Sequence, residues 1–251
     1  VRVGAGVELD ELVAWTVAGG YWGIENLTHI PGTVGAAPVQ NVGAYGVEMS
    51  DVVESVAVFD PATGTETAFS NAECSFAYRD SFFKSAAGRQ LIITAVTVRL
   101  SRTPQPRLAY PDLAPLAACR PDLATIRSTV AAVRATKFPD WRQVGTAGSF
   151  FKNPIIAATE FQTLQARYPT LPGHVLPDGR VKVPLGWILD KVCGVKGVRR
   201  GAVGTHPTQA LVVVNYGGAT TSDVLAFTDD IASQVHAATG LRLEREVTLV
   251  V

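Results

Sequence analysis

The chain has 251 residues, of which 47% are hydrophobic and 18% are charged, and its 22 basic and 22 acidic side chains give a formal net charge of zero. This composition is typical of a soluble globular protein with one large or two medium-sized domains. The zero net charge argues against a nucleic acid partner, because phosphates favour a strongly positive surface, and no apolar run of about 18 residues is present to span a membrane.

The cysteines and histidines indicate neither a disulfide framework nor a metal site. The three cysteines are far apart and form no C-x-x-C pair, and the four histidines are scattered along the chain. We therefore predict no metal and a reducing, cytoplasmic environment. The cysteines are Cys74, Cys119 and Cys193, and the histidines are His29, His174, His206 and His236.

The chain opens on Val1–Gly6, which has the pattern of a strand already under way, and its only methionine is Met49. No basic region and apolar core of a signal peptide are present at this end. We interpret the chain as a fragment. A helix is predicted from Glu8 to Ala18, where apolar residues follow helical spacing, and Gly19 and Gly20 end it.

The seventeen residues from Ile30 to Gly46 show no clear period and contain four glycines and two prolines. Such a stretch is either a plain connector or an ordered loop whose backbone approaches a ligand closely. Its length favours the functional interpretation. Strands are then predicted at Val53–Phe59 and Leu91–Leu100.

Between those strands lies Phe76–Ser81, in which Arg79 has a guanidinium that can bind a carboxylate through two hydrogen bonds. The alternative is a surface ion pair of Arg79 with Asp80. Pro121 and Asp122 begin a helix that places Arg134 and Lys137 near its C-terminus. These cations either complement the helix dipole or bind a phosphate or cofactor.

A domain boundary is predicted near Phe138–Pro139. In Gly145–Pro154, the glycines permit a turn and Pro154 prevents a helix, so we expect Ser149 on a loop beside two phenylalanines. A proton transfer there would be shielded from water, although a serine that caps a turn would have the same sequence. We predict that this loop and Phe76–Ser81 form two walls of one active site.

The remaining elements are predicted from periodicity and capping residues. The last segment alternates apolar and polar residues like a half-buried strand, which places Glu244 and Glu246 on one face, where glutamates are usually solvated. The other elements are helices at 159–168 and 187–193, a strand at 211–215, and a helix that is capped by Thr221–Asp223 and ends at Gly240.

Taken together, these segments resemble the UDP-N-acetylenolpyruvoylglucosamine reductase family, in its longer class. The resemblance covers almost the whole chain. Its motifs are Gly23–Leu27, Ile30–Gly35, Pro38–Gly46, Phe76–Ser81, Arg134–Lys137, Gly145–Pro154 and Leu243–Val247.

The resemblance implies an α+β fold with a partial FAD-binding domain of the vanillyl-alcohol-oxidase-like type and an α/β substrate-binding domain. The FAD-binding part would span residues 1–138 and lack its N-terminal subdomain. Residues 139–240 would bind substrate, and residues 241–251 would form the strand with the catalytic glutamate. The protein would act in the bacterial cytoplasm as a monomer.

The family's chemistry implies that NADPH reduces bound FAD, which then reduces the enolpyruvyl ether of UDP-N-acetylglucosamine to UDP-N-acetylmuramate for peptidoglycan. By resemblance, Arg79 and Glu246 stabilise the charge that develops on the substrate, with Glu246 protonated or sharing a proton. Ser149 would then protonate C2 of the enolpyruvyl group.

The resemblance also matches residues that would contact the cofactor and the substrate. In the segment 168–181, His174 stands where a tyrosine is usual, which changes the expected stacking on uracil. The matches to cofactor contacts are Gly35, Gln40, Asn41, Gly43, Tyr45 and Arg134; those to substrate contacts are Tyr78, Tyr110, Lys137, Asn153, His174 and Gln209.

Two other functions are compatible with the residues. A flavin-dependent oxidase on the same type of FAD domain would consume oxygen with a hydroxylated substrate, but the segments around Ser149 and Glu246 argue against it. A non-catalytic nucleotide-sugar binder is the second, because a chain without the front of its FAD domain need not hold the cofactor.

Overall fold

A computed structural model describes residues 1–250. The chain divides into two compact units, Val1–Arg134 and a second unit from Ala135 onwards. The α-helices are α1 Leu9–Ala18, α2 Leu123–Lys137, α3 Ala158–Arg167, α4 Leu185–Trp187 and α5 Thr221–Thr239. The strands are β1 Arg2–Gly4, β2 Gly43–Ala44, β3 Val47–Glu48, β4 Val53–Asp60, β5 Thr65–Ser70, β6 Ile92–Val98, β7 Gly145–Ser149, β8 Ile155–Ile156, β9 His174–Val175, β10 Val181–Lys182, β11 Arg199–Arg200, β12 Val203–Thr205 and β13 Val212–Asn215.

Short helical turns occur between these elements. One is a π-helix at Ile188–Val192, directly after α4, and the others are 3₁₀ turns. The 3₁₀ turns are Glu25–Leu27, Met49–Asp51, Phe82–Lys84, Gly88–Gln90 and Ala114–Cys119.

The first unit is built on an antiparallel sheet with the strand order β1-β6-β4-β5. The β-branched residues Val56 and Val96 lie opposite each other in the register of β4 and β6, and both are fully buried. Helix α1 contributes Leu12 and Val13 to the same core. The predicted strands at Val53–Phe59 and Leu91–Leu100 are confirmed as β4 and β6, and the predicted helix at Glu8–Ala18 is confirmed as α1.

Two features of this unit were not predicted. Strand β5 pairs with β4 along its full length, yet five of its six residues are exposed, so it lacks an alternating apolar pattern. The loop from Ile30 to Gly46 ends in a small hairpin of β2 and β3. Tyr45 and Gly46 form its two-residue turn with φ of +49° and +83°, as primed hairpin turns require.

Gly35, in the same loop, packs against the first strand region. A Cβ added there would lie 2.5 Å from the Cβ of Ala5, and the Gly35 N–H donates to the Ala5 carbonyl at 2.9 Å. The loop at Gly35 and the segment at Ala5 lie so close together that only glycine fits at position 35 when residue 5 is alanine.

The second unit contains a sheet with the order β11-β12-β13-β7 and a three-stranded sheet with the order β8-β10-β9. Helix α5 buries Phe227, Ile231 and Val235 in a core that also holds Val203 and Val213. The N-cap of this helix lies one residue before the predicted cap. Thr220 is the N-cap and exchanges hydrogen bonds with Asp223, while Gly240 ends the helix in the left-handed region as predicted.

Two predictions for this unit are wrong. Ser149 lies on strand β7, because Gly145–Ser149 pairs with β13 instead of forming a free loop. The segment after Leu241 forms no regular strand within the described residues. It makes one isolated β-bridge, between Phe151 and Arg245, because the strand-like segment that contains Phe151 ends at Asn153–Pro154.

Among residues 1–250, no helix is long and apolar enough to cross a membrane. The same residues contain no group of three or more histidine, cysteine and acidic side chains that could hold a metal ion. All three cysteines are free thiols. Burial raises the pKa of the Cys74 thiol to about 11.

Candidate active site

Asn41 fixes the glycine-rich loop from inside. Its side chain is 1% exposed and its Nδ2 donates to the Glu48 carboxylate at 2.9 Å and to the Ala77 carbonyl at 3.2 Å. Its Oδ1 accepts from the Ser50 N–H at 2.8 Å. The side-chain amide is therefore hydrogen-bonded to other protein groups. These contacts hold the Asn41 backbone in the left-handed region, with a φ of +45°.

Arg79 is held beside the hairpin by two groups. Its Nη2 donates to the Gly43 carbonyl at 2.8 Å, and its Nη1 lies 3.8 Å from Glu48 Oε1. The side chain is only 18% exposed, and the backbone φ is +54°. The structure thus brings Arg79 to Gly43 and Asn41 within one cluster. The adjacent Tyr78 is half-buried, with its ring centroid 5.2 Å from the guanidinium carbon.

Tyr45, Tyr110 and Arg134 form a second cluster in the first unit. The Tyr45 ring is 6% exposed and meets Tyr110 edge-to-face at 5.1 Å between centroids, and Tyr110 is 42% exposed. Burial raises the pKa of Tyr45 to about 12, although the nearby Arg134 cation opposes this shift. Burial also lowers the pKa of Arg134, whose Nε donates to the His29 carbonyl at 3.2 Å.

Asn26 contacts this cluster and Glu25 precedes Asn26 in the chain, and neither residue was assigned a role from the sequence. Glu25 is 1% exposed and Asn26 is fully buried, with Asn26 Nδ2 donating to the Tyr45 carbonyl at 2.7 Å. Glu25 Oε1 and Asn26 Oδ1 are buried without a hydrogen-bond partner among the described residues. Burial raises the pKa of the Glu25 carboxyl above its usual value.

The loop and these clusters fit a flavin cofactor. Asn26 Oδ1 is a buried acceptor beside the Tyr45 hairpin, and Arg134 supplies a half-buried cation next to the Tyr45 phenol. A dinucleotide with an aromatic head and two phosphates needs both kinds of group. Gln40 is a half-buried residue of the same loop. Gly43 leaves no room for a side chain, since a Cβ there would lie 2.6 Å from Glu48 Cγ.

Ser149 is aimed by a β-bulge in the second unit. Ala147 and Gly148 together face the single residue Val213, and Gly148 has a φ of +75°. Thr146 Oγ1 closes the bulge by donating to the Val213 carbonyl at 2.8 Å. Bulges re-aim side chains at active sites. Ser149 itself is half-buried, and the next residue in the chain, Phe150, is buried.

The structure brings Glu246 to the segment that carries Ser149. The Glu246 N–H donates to the Phe150 carbonyl at 2.9 Å. Two ion pairs hold this part of the chain, one between Lys152 and Glu244 and one between Arg245 and Asp229. Glu244 therefore has a structural partner, and Glu246 is half-buried beside the Ser149 strand.

Asn153 and Gln209 each lie against a residue at the start of helix α4. Asn153 Oδ1 accepts from the Leu185 N–H at 2.9 Å. A Cβ added at Gly186 would lie 2.9 Å from Gln209 Oε1, so the Gln209 amide covers this glycine. The neighbouring Thr208 hydroxyl donates to the Thr136 carbonyl, which places Gln209 near the end of α2.

Lys137 and His174 complete the predicted residues of this unit. Lys137 is half-buried at the C-terminus of α2. His174 is exposed on β9, the edge strand of the three-stranded sheet, where its backbone pairs with Lys182. His174 therefore belongs to a different sheet from Ser149, which lies on β7.

Comparisons with known proteins agree with this arrangement. The C-terminal domain family of UDP-N-acetylenolpyruvoylglucosamine reductase matches residues 140–250, and an FAD binding domain family matches residues 1–70. The UDP-N-acetylenolpyruvoylglucosamine reductase of Porphyromonas gingivalis is 46% identical over 250 residues, which is 98% of this chain and 74% of that protein. The chain belongs to the UDP-N-acetylenolpyruvoylglucosamine reductase family.

Two further relatives support the assignment. The reductase of Cupriavidus pinatubonensis is 48% identical over 248 residues, again covering 98% of this chain and 74% of that protein. The crystal structure of the Thermus caldophilus UDP-N-acetylenolpyruvylglucosamine reductase has a TM-score of 0.68 at 26% identity and covers 99% of this chain and 71% of that chain. The predicted α+β fold with an FAD-binding domain is thereby confirmed.

Proposed function

We propose that this protein reduces UDP-N-acetylglucosamine enolpyruvate to UDP-N-acetylmuramate for peptidoglycan synthesis in the bacterial cytoplasm, with FAD as cofactor and NADPH as hydride donor. The observation that carries the proposal is 46–48% identity to reductases of this family across 98% of the chain. Within it, residues 1–138 bind FAD, residues 139–240 bind substrate, and residues 241–251 carry Glu246. We expect a monomer.

Bound FAD would supply the chemistry of hydride transfer from NADPH to the enolpyruvyl double bond. Arg79 would bind the substrate carboxylate, on which negative charge develops as the double bond is reduced. Its support is geometric, since a guanidinium that is fixed by Gly43 and Glu48 needs no reorganisation when charge appears nearby.

Ser149 would deliver the proton that completes the reaction at C2. A serine hydroxyl is a weak acid, so it serves only when it is held close to a strongly basic carbon. The bulge at Ala147–Gly148 and the hydrogen bond from Thr146 provide that fixed position. Glu246, tethered to Phe150, would stabilise the enol form of the substrate.

The remaining candidates have supporting roles in this proposal. Asn41 and Gly43 hold the flavin loop, and Tyr45 and Arg134 contact the cofactor. In the second unit, Asn153 and Gln209 would present the α4 turn to the nucleotide sugar. The other proposed contacts are Gly35 and Gln40 with the cofactor, and Tyr78, Tyr110, Lys137 and His174 with the substrate.

The proposal is tested by separating the two half-reactions of the FAD-loaded protein under anaerobic conditions. We expect Ser149→Ala to leave bleaching of the flavin by NADPH nearly unchanged and to slow its reoxidation by the enolpyruvyl substrate about tenfold to a hundredfold. Ser222→Ala, an exposed position on α5, is the control and should affect neither step. Equal loss of both half-reactions in Ser149→Ala would contradict the role of Ser149.

A further inference from the structure

The carboxylate of Glu48 joins two chain segments that carry candidate residues. Its Oε2 accepts from Asn41 Nδ2 at 2.9 Å, and its Oε1 lies 3.8 Å from Arg79 Nη1. Asn41 Nδ2 also reaches the Ala77 carbonyl at 3.2 Å, at the start of the turn that carries Arg79. One acidic side chain therefore connects the glycine-rich loop with the arginine turn.

The position of Glu48 is itself tightly fixed. Glu48 lies opposite Gly43 in the β2–β3 hairpin, and a Cβ on Gly43 would come within 2.6 Å of Glu48 Cγ. The stem of Glu48 thus lies against bare backbone. Its own N–H donates to the Asp51 carboxylate at 3.0 Å, which anchors the residue from the other side.

The plane of the Arg79 guanidinium follows from these contacts. A guanidinium is rigid and planar, so the hydrogen bond from Nη2 to the Gly43 carbonyl, together with the charge contact between Nη1 and Glu48 at 3.8 Å, favours one orientation for all of its N–H groups. The backbone of Arg79 cannot supply this order alone, because its positive φ is a sparsely populated conformation that its surroundings must impose.

We propose that Glu48 is a positioning residue of the reductase, which sets the orientation in which Arg79 meets the substrate carboxylate. Glu48 does not touch the substrate and acts through the guanidinium and through Asn41. The inference rests on the proposed function for its catalytic consequence, but the claim that Glu48 orients Arg79 is geometric and can be measured without turnover.

The kinetic test is a double-mutant cycle on the two half-reactions. Glu48→Gln keeps the size of the side chain and an acceptor for Asn41 but removes the charge that faces Arg79. We expect it to slow flavin reoxidation by the enolpyruvyl substrate about tenfold while leaving flavin reduction by NADPH within about twofold. In an Arg79→Lys background the same change should have little further effect, because the oriented group is already absent.

Glu54→Gln is the matched control, since Glu54 forms an exposed ion pair with Arg99 at 3.6 Å in the same unit, and its carboxylate is paired away from the arginine turn. It should leave both half-reactions unchanged. If Glu48→Gln slows reoxidation equally in the unsubstituted and the Arg79→Lys backgrounds, the carboxylate acts independently of the guanidinium, and the inference is overturned.

A second readout distinguishes failure of the inference from failure of the proposed function. The Nε–Hε resonance of Arg79, assigned by its loss in Arg79→Lys, should shift or broaden in Glu48→Gln and stay unchanged in Glu54→Gln. If the unsubstituted chain binds FAD but does not react with the enolpyruvyl substrate, the proposed function fails and this resonance decides the inference. An unchanged resonance in Glu48→Gln would refute it.

Discussion

Replacing Gly148 with alanine adds one methyl group at the bulge that aims Ser149. The nearest atom to the new Cβ would be Phe138 Cε1 at 3.9 Å, which is an ordinary contact, so no steric clash is expected. The cost comes from the backbone, because φ at this position is +75° and an L-residue in the left-handed region loses about 1–2 kcal/mol.

The protein can respond in two ways to this strain. If the bulge is retained, Gly148→Ala should lower the melting temperature by roughly 2–8 °C, from about 2–4 °C per kcal/mol for a chain of this size. If the backbone relaxes instead, Ser149 moves away from its position on β7. In that second case reoxidation of the flavin by the enolpyruvyl substrate should slow about tenfold, because proton delivery depends on placement within an ångström, whereas a retained bulge leaves the rate unchanged.

Gly218→Ala is the matched control in the same unit. Gly218 has a φ of +79°, is exposed, and has no atom within 4 Å of an added Cβ. Stopped-flow reoxidation should be unchanged in Gly218→Ala, and in Gly148→Ala it should slow when thermal unfolding shows a smaller loss than in this control. A Gly148→Ala protein that loses clearly less melting temperature than Gly218→Ala, and has therefore relaxed at the bulge, yet reoxidises at the unsubstituted rate would refute the argument that the bulge aims Ser149.

Two further predictions concern stability. The Glu25 carboxyl has a raised pKa in the folded state, so its contribution to stability is present below the unfolded pKa and is lost as the pH rises through the folded pKa. The free energy of unfolding in urea, measured between about pH 4 and pH 8, should therefore decline less with pH in Glu25→Gln than in the unsubstituted chain. Parallel curves for the two proteins would contradict this prediction. Thr220→Ala removes the hydroxyl that accepts from the Asp223 N–H and should cost about 1 kcal/mol relative to Ser222→Ala, with an equal urea midpoint for the two variants as the opposing result.

The helices of this protein could be predicted because their signals are local. In α5, apolar residues recur at helical spacing and Gly240 supplies the left-handed end, so both the buried face and the C-terminus follow from the sequence. The one-residue difference at the start arises because Thr220 and Thr221 are both chemically able to cap, and only the chain geometry selects Thr220.

The strands were harder to predict because their pairing partners are distant. Strand β5 is held to β4 by backbone hydrogen bonds while five of its six residues are exposed, so Thr65–Ser70 carries no apolar alternation. Ser149 was expected on a loop because Gly145 and Gly148 are turn residues. In the structure those glycines serve a bulge within a strand, which is defined by β13 more than sixty residues later.

The site was partly predictable for a related reason. Residues such as Arg79 and Glu246 stand in motifs that resemble a known family, and the structure places each of them against a backbone carbonyl or N–H. Glu48 carries no such signal, since it lies outside the family motifs and a single glutamate in a two-residue strand is ordinary. Only the contacts to Asn41 and Arg79 distinguish it.

Gly35 and Ala5 share a single volume, because a methyl group at position 35 would occupy the space of the Ala5 methyl. The amino acids permitted at one position therefore depend on the other, although thirty residues separate them. A larger side chain at position 5 would leave still less room at position 35, and a glycine at position 5 would remove the closest clash, with contacts of 3.1 Å and 3.2 Å to the backbone of residue 5 remaining. Tolerance to substitution at the start of the glycine-rich loop is thus a property of the pair and belongs to neither residue alone.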